Sequence, residues 1–195
     1  MYLYGESGHA KVIVDILNAS GESVDGLFDD DRSLEVLLNY PVSSPENVKS
    51  PLIISIGDNK IRKRIANSLY VNFGTAIHPS AIISQGTIIG EGSVVMQGGI
   101  IQSCVTIGRH CIINTGSSID HDCQIGDFVH ISPRAVLCGN IMIDEGSWIG
   151  AGAVIIPNVR IGKWCVIGAG SVVTKNIPDY SLALGNRCEI IRELE

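Results

Sequence analysis

From Ile77 to Val173 every sixth residue is Ile, Leu or Val, without an exception or an insertion. The run amounts to seventeen hexads. These three residue types make up roughly a quarter of an ordinary soluble chain, so a run of this length is not accidental. A helix returns a face every 3.6 residues and a strand every two. A face that returns every six needs a short strand followed by a corner, which specifies a stacked solenoid, a parallel β-helix. Four residues after each aliphatic lies a second restricted site, mostly small, as at Ala81, Ser93, Cys111, Ser117, Cys123, Ala135, Ser147, Cys165 and Ser171. Gly directly follows the aliphatic at positions 90, 108, 126, 150, 162 and 168, where tight backbone turns are therefore expected. At about 2 kcal/mol per buried aliphatic, the hexads supply an ample core for one domain.

Charge is thin along the repeat: 11 Asp, Glu, Lys or Arg fall between residues 77 and 177. The net charge of −6 argues against nucleic acid or an anionic membrane as partner. No Lys or Arg precedes Lys11 and no apolar run has the length of a membrane span, so neither a leader nor a transmembrane segment is expected. The 6 cysteines show no C-x-x-C spacing, and Cys111, Cys123 and Cys165 fall on the small inward site. They read as core filler in a reducing cytoplasm.

Residues 1–76 follow a different rule. Tyr2-Leu3-Tyr4, Val24–Phe28 and Leu52–Ile56 read as strands, with helical spacing from Ala10 to Ala19 and a basic amphipathic stretch from Lys60 to about Leu69. Alternating strands and helices imply a small parallel α/β unit of Rossmann type, whose ligands sit at the carboxyl ends of its strands. Those ends are Gly5–His9, Asp29-Asp30 and Gly57-Asp58-Asn59, a candidate cleft. The loop Gly5-x-Ser7-x-x-Ala10 lacks two glycines of the dinucleotide fingerprint and suits a single nucleotide better. The expected units are thus 1–76, a prism over 77–177, and a C-terminal tail over 178–195.

Among the five histidines, His78 and His110 read as structural or solvated. His121 stands between Asp120 and Asp122 at an outward position, where a carboxylate on one ring nitrogen makes the other a better base. His130 follows nine residues later, half of an 18-residue coil. The two rings therefore point to different sides of one prism and share a site only across a subunit boundary.

Both halves together resemble the bacterial nucleotide-sugar acetyltransferases of the sialic acid O-acetyltransferase type, and most closely the bacillosamine-pathway enzymes that acetylate a UDP-linked 4-amino-dideoxy sugar. The resemblance rests on Tyr4–His9, Phe28-Asp29-Asp30, Ile56–Asn59, Ile61-Arg62, Asn114-Thr115, Ser118–Gly126, Phe128–Ser132, Gly139-Asn140, Ile149–Gly152 and Ile167–Gly170. It implies a left-handed β-helix, a homotrimer with sites between subunits, and acetyl-CoA as co-substrate. It implies further that Ser7, Gly8, His9, Asp29, Asp30 and Gly57 hold the nucleotide sugar, with Asn114 beside them. His121 would be the general base and Asp122 its partner; His130, Gly139, Ala151 and Ala169 would lie along the coenzyme. Direct transfer to a sugar amine follows, because no Cys or Ser stands beside His121 in a nucleophile motif. O-Acetylation of a sialic acid or related sugar is the alternative, with a non-catalytic trimeric scaffold behind it. The γ-class carbonic anhydrases share the repeat, but their H-x-x-x-x-H zinc pair is missing here, so no metal is expected. Two departures from the family pattern stand out: Gly185-Asn186-Arg187-Cys188 replaces Gly-Asn-Pro-Ala, and Asp122 replaces the usual Glu.

Overall fold

A computed structural model of the chain describes residues 1–6, 8–31, 33 and 35–194. The N-terminal unit comprises β1 (Tyr2–Tyr4), α1 (Gly8–Ala19), β2 (Gly26–Phe28), β3 (Val36–Leu37), β4 (Tyr40–Ser43), β5 (Leu52–Ile54) and α2 (Asn59–Ser68). Its sheet has the order β3-β4-β2-β1-β5, parallel throughout except for β3. The central β1 buries Leu3 completely. On α1 the spacing of Ala10, Ile13, Val14, Ile16 and Leu17 makes one apolar face, which packs in a single cluster with Leu3 and with Val94, Met96 and Ile112 of the prism. The α/β unit is thus docked on the solenoid by the hydrophobic effect.

The β3–β4 hairpin was not evident from composition, because Pro41 stands inside it and its strands are very short. Its two turn residues, Leu38 and Asn39, both adopt positive φ (46° and 69°), the backbone of a tight two-residue hairpin.

The prism holds seventeen two-residue strands, β6 (Ala76–Ile77) to β22 (Val172–Val173), one per hexad. From β6 to β19 each pairs in parallel with the strand 18 residues on, as in Ile82↔Ile100, Ile100↔Ser118 and Ser118↔Val136. Three sheets result, and they form the faces of a triangular prism. The first face carries Val94, Ile112, His130, Trp148 and Val166 outward; the second carries Ile82, Ile100, Ser118, Val136, Val154 and Val172; the third carries Ile88, Thr106, Gln124, Met142 and Arg160. The second residue of each strand is the hexad aliphatic, and from Val95 to Val173 none is more than 3% exposed. Ile77, at 36%, lies on the open end, where no preceding coil covers it.

The corners correct one expectation. Every sixth residue from Gly86 to Gly170 has a positive φ, and several are not glycine: Cys104, His110, Asp122, Phe128, Arg134, Asn140, Asn158 and Trp164. The turn therefore falls three residues after the aliphatic. The glycines directly after it serve coil-to-coil approach instead: a Cβ on Gly90 would lie 2.6 Å from the Gly108 backbone, and one on Gly150 would lie 2.6 Å from the Ala169 amide. Beyond residue 178, β23 (Ser181–Leu184) extends the first face in parallel and β24 (Glu189–Glu193) folds back against it. Among the described residues no helix is long and apolar enough to cross a membrane.

Candidate active site

The ends of β1, β2 and β5 lie side by side at the candidate cleft, where hydrogen bonds hold the loops together. Gly5 donates to the Phe28 carbonyl (2.8 Å), and Ser55 Oγ donates to the carbonyls of Tyr4 and Gly5 at 2.9 and 2.6 Å. Gly5 is obligatory: its φ is 106°, and a Cβ would meet Ile56 Cγ1 at 2.6 Å. Asp29 accepts from the amides of Glu6 (2.6 Å) and Asp31 (2.9 Å), tying the first two loops together. Asp30 accepts from the Tyr4 hydroxyl at 3.0 Å; burial and this bond push that phenol up to about 12. Gly8 and His9 open α1, and Ser7 lies outside the described residues.

Beneath the cleft sits Arg62, which is 1% exposed. Burial first, and then this guanidinium, hold His9 and His110 down at about 4 and His130 at about 3, so all three imidazoles are neutral near pH 7. His130 projects from the first face, its Nε2 3.1 Å from Asn114 Nδ2 and its ring stacked on Trp148 at 5.4 Å. Its Nδ1 is buried without a hydrogen-bond partner among the described residues. His110 serves structure: it stacks on Phe128 at 5.1 Å and meets the edge of Phe73 at 4.5 Å.

His121 stands apart, on the corner between the second and third faces. Its Nδ1 lies 2.7 Å from Asp122 Oδ2, and its ring is 59% exposed. The Asp122 bond and then the charge of Asp120 raise its pKa above the ordinary 6.5, which strengthens Nε2 as a base. Two backbone features place the pair. Asp122 occupies the positive-φ turn position (61°), a conformation that short polar side chains tolerate. One coil on, Gly139 leaves room for the ring: a Cβ there would stand 2.6 Å from Cε1 and 2.7 Å from Nε2.

The structure thus gathers the expected residues in two places. Gly8, His9, Asp29, Asp30, Gly57, Asn114 and His130 belong to the cleft and the adjoining first face. Ala151 and Ala169 lie further along the corner between the first and second faces, whereas His121, Asp122 and Gly139 lie on the corner opposite the first face. Sequence reasoning left Arg62, Trp148 and a column of asparagines without roles. In that column, above Asp122, Asn140 Nδ2 donates to Asn158 Oδ1 (2.7 Å) and Asn176 Oδ1 accepts from the Arg160 amide (2.8 Å). A groove of about 250 Å³ runs beside it, lined also by Gln124 and Met142. The 18-residue spacing of Asp122, Asn140, Asn158 and Asn176 was the available signal. No group of three or more His, Cys, Asp or Glu side chains among the described residues is placed to hold a metal.

Residues 1–69 match the PglD N-terminal domain, and residues 140–175 match the bacterial transferase hexapeptide (six repeats). A crystal structure of PerB from Caulobacter crescentus, in complex with CoA and GDP-perosamine, superposes with a TM-score of 0.92 at 37% identity, covering 97% of this chain and 95% of that one. The chain belongs to the hexapeptide-repeat nucleotide-sugar N-acetyltransferases. Its prism is accordingly the left-handed parallel β-helix of that family. GDP-perosamine N-acetyltransferase of Escherichia coli O157:H7 is 34% identical over 147 residues, 74% of this chain and 63% of that protein. UDP-N-acetylbacillosamine N-acetyltransferase of Bacillus subtilis (strain 168) is 40% identical over 102 residues, 46% of this chain and 47% of its own length. The match thus spans less than two thirds of either curated relative.

Proposed function

We propose that the chain transfers an acetyl group from acetyl-CoA to the amine of a nucleoside-diphosphate-linked 4-amino-dideoxy sugar, with His121 as general base. The observation that carries this reading is the His121–Asp122 pair, whose ring is 59% exposed while its Nδ1 is held at 2.7 Å. The amine nitrogen attacks the thioester carbonyl carbon; its proton passes to His121 Nε2, the C–S bond breaks, and the thiolate leaves to take up a proton. A positioned base of this kind contributes about 10²–10⁴-fold.

The acceptor is assigned to the cleft. Gly8 and His9 are assigned to the phosphates and base, Asp29 and Asp30 to the rim of the opening, and Gly57 to its closed end. His130 stands beside the Gly57 backbone at the cleft, and Asn114 lies 3.1 Å from its Nε2 and fixes that ring. The donor is assigned to the groove along Gly139 and the asparagine column, whose amides suit the amides of a pantetheine arm, with Ala151 and Ala169 of a neighbouring chain opposite.

One prism cannot bring His121 to His130, because they lie on opposite sides. The second face presents an apolar stripe, Ile82, Ile100, Val136, Val154 and Val172, with Ile82 64% exposed and Val136 38% exposed. Three prisms with this face turned toward a common axis bring the His121 corner of one chain beside the Asn114 corner of the next. A homotrimer built this way completes the site.

The test is thiol release from acetyl-CoA with UDP- and GDP-linked 4-amino sugars, since relatives of both kinds exist. Release with one nucleotide amino sugar, abolished in His121→Ala with an unchanged melting temperature, is the expected result. Release only with a sialic acid hydroxyl would replace it by O-acetylation, and an active His121→Ala would remove the assigned base.

A further inference from the structure

Helix α2 carries a charge where an ordinary docking helix would carry a hydrophobe. All five N–H groups of Arg62 are bonded: Nε donates to the His110 carbonyl (2.8 Å), Nη1 to the carbonyls of Ile56 (2.9 Å) and Gly57 (3.1 Å), and Nη2 to Asn59 Oδ1 (2.7 Å) and the Phe128 carbonyl (3.1 Å). None of these acceptors is a carboxylate, and no carboxylate among the described residues forms an ion pair with it. Burying a guanidinium on neutral acceptors carries a desolvation cost that an apolar side chain of similar volume would avoid. What the planar fork offers in return is orientation.

The acceptors come from two bodies. Ile56 and Gly57 form the loop that ends β5 at the cleft. His110 and Phe128 are corner residues of successive prism coils, and Asn59 Nδ2 reaches the next coil at the carbonyls of Gly146 (3.0 Å) and Ser147 (3.3 Å). One guanidinium and one amide therefore pin the third cleft loop to three consecutive coils, beside the first face that carries His130.

We infer that Arg62 is a positioning residue for the acceptor: its fork sets the Gly57 loop against His130, so the cleft in one domain and the ring on the other present a single binding surface. This inference rests on the cleft being the acceptor site. Arg62 reaches neither His121 nor the asparagine column, so its effect is confined to the acceptor side. Lys at this position retains the charge but has donors on one atom only, and it cannot span acceptors from two bodies.

The experiment is steady-state kinetics of Arg62→Lys and Asn59→Ala, with calorimetric titration of UDP and GDP into each protein. The expected result is a rise of tenfold or more in KM for the nucleotide sugar and in Kd for the nucleotide in Arg62→Lys, with KM for acetyl-CoA within twofold of wild type. Asn59→Ala should show a smaller shift in the same direction. If both variants only melt earlier, with acceptor KM and nucleotide Kd within twofold of wild type, Arg62 is a structural clamp and the inference is overturned. If Arg62→Lys does not fold, Asn59→Ala decides by the same readings. A wild type that binds UDP or GDP but turns over no amino sugar would overturn the proposed reaction, and the nucleotide titrations would still decide the role of Arg62.

Discussion

Gly139→Ala tests the proposed base without altering either member of the His121–Asp122 pair. The residue has no positive φ, so alanine is compatible with its backbone, and such a replacement ordinarily stabilises by about 0.4–1 kcal/mol through the unfolded chain. The new methyl, however, would stand 2.6 Å from His121 Cε1 and 2.7 Å from Nε2. Ordinary contact begins near 3.4 Å, so the ring must retreat by about 0.8 Å. It is free to do so, because it is 59% exposed, and the displacement therefore costs the fold little. Retreat breaks the 2.7 Å bond to Asp122 and moves Nε2 from the amine, and an ångström of misplacement costs on the order of 10²-fold in rate. The expected outcome is kcat down about a hundredfold with a melting temperature equal to wild type or above it. Thiol release and differential scanning fluorimetry on the same preparation measure both. A kcat within threefold of wild type would show that the ring's seat over Gly139 does not define the base, and the geometric argument would fail.

Asp122→Asn removes the largest influence raising the His121 pKa, so the acid limb of the kcat–pH profile should move to lower pH as the plateau falls; an unmoved limb would assign it to another group. Ile149→Ala empties a fully buried hexad site and should cost about 2–5 kcal/mol, read as a fall of roughly 5 °C or more in Tm. Val136→Asp puts a charge into the apolar stripe of the second face and should shift sedimentation from trimer to monomer with loss of turnover; an active trimer would refute the assigned interface. His9, His110 and His130 have folded pKa values of about 4, 4 and 3 against 6.5 unfolded, so their contribution is complete above pH 6.5 and lost as pH falls. The slope approaches at most about 4 kcal/mol per pH unit, and a urea midpoint as high at pH 5 as at pH 7.5 would contradict it.

The core of the prism was legible because inward positions obey one rule seventeen times over, and a six-residue period admits one explanation. His121 was legible for the converse reason: a titratable side chain between two carboxylates, at a position the core does not dictate, has no packing role. Arg62 was not. Apart from the Asn59 side chain its partners are backbone carbonyls separated from it by up to 66 residues, and carbonyls carry no sequence signature. The β3–β4 hairpin was hidden because its turn uses Leu38 at positive φ, where composition would demand Gly or Asn. The glycines after each aliphatic were visible but misread, since local sequence does not distinguish a tight turn from a close approach by the next coil.

The corner between the second and third faces shows how one position serves fold and chemistry together. Its turn residues, Gly86, Cys104, Asp122, Asn140 and Asn158, adopt positive φ, a region that costs most L-residues about 1–2 kcal/mol and that, after Gly, Asn and Asp visit with least penalty. The corner therefore favours Gly, Asn or Asp for backbone reasons without requiring them, since Cys104 holds the same place one coil earlier at φ 61°, and among the three the choice is left to chemistry. At 122 it is the one member that carries charge, directly beside the outward imidazole it orients. At 140 and 158 it is the neutral amide that lines the groove above. It follows that Asp122→Asn isolates the electrostatic contribution to catalysis, because the turn keeps a residue it accepts. Asp122→Ala would confound that loss with backbone strain. A comparison of the two variants should give similar kcat but a lower Tm for alanine alone, and equal melting temperatures would mean that the turn places no such demand on residue 122.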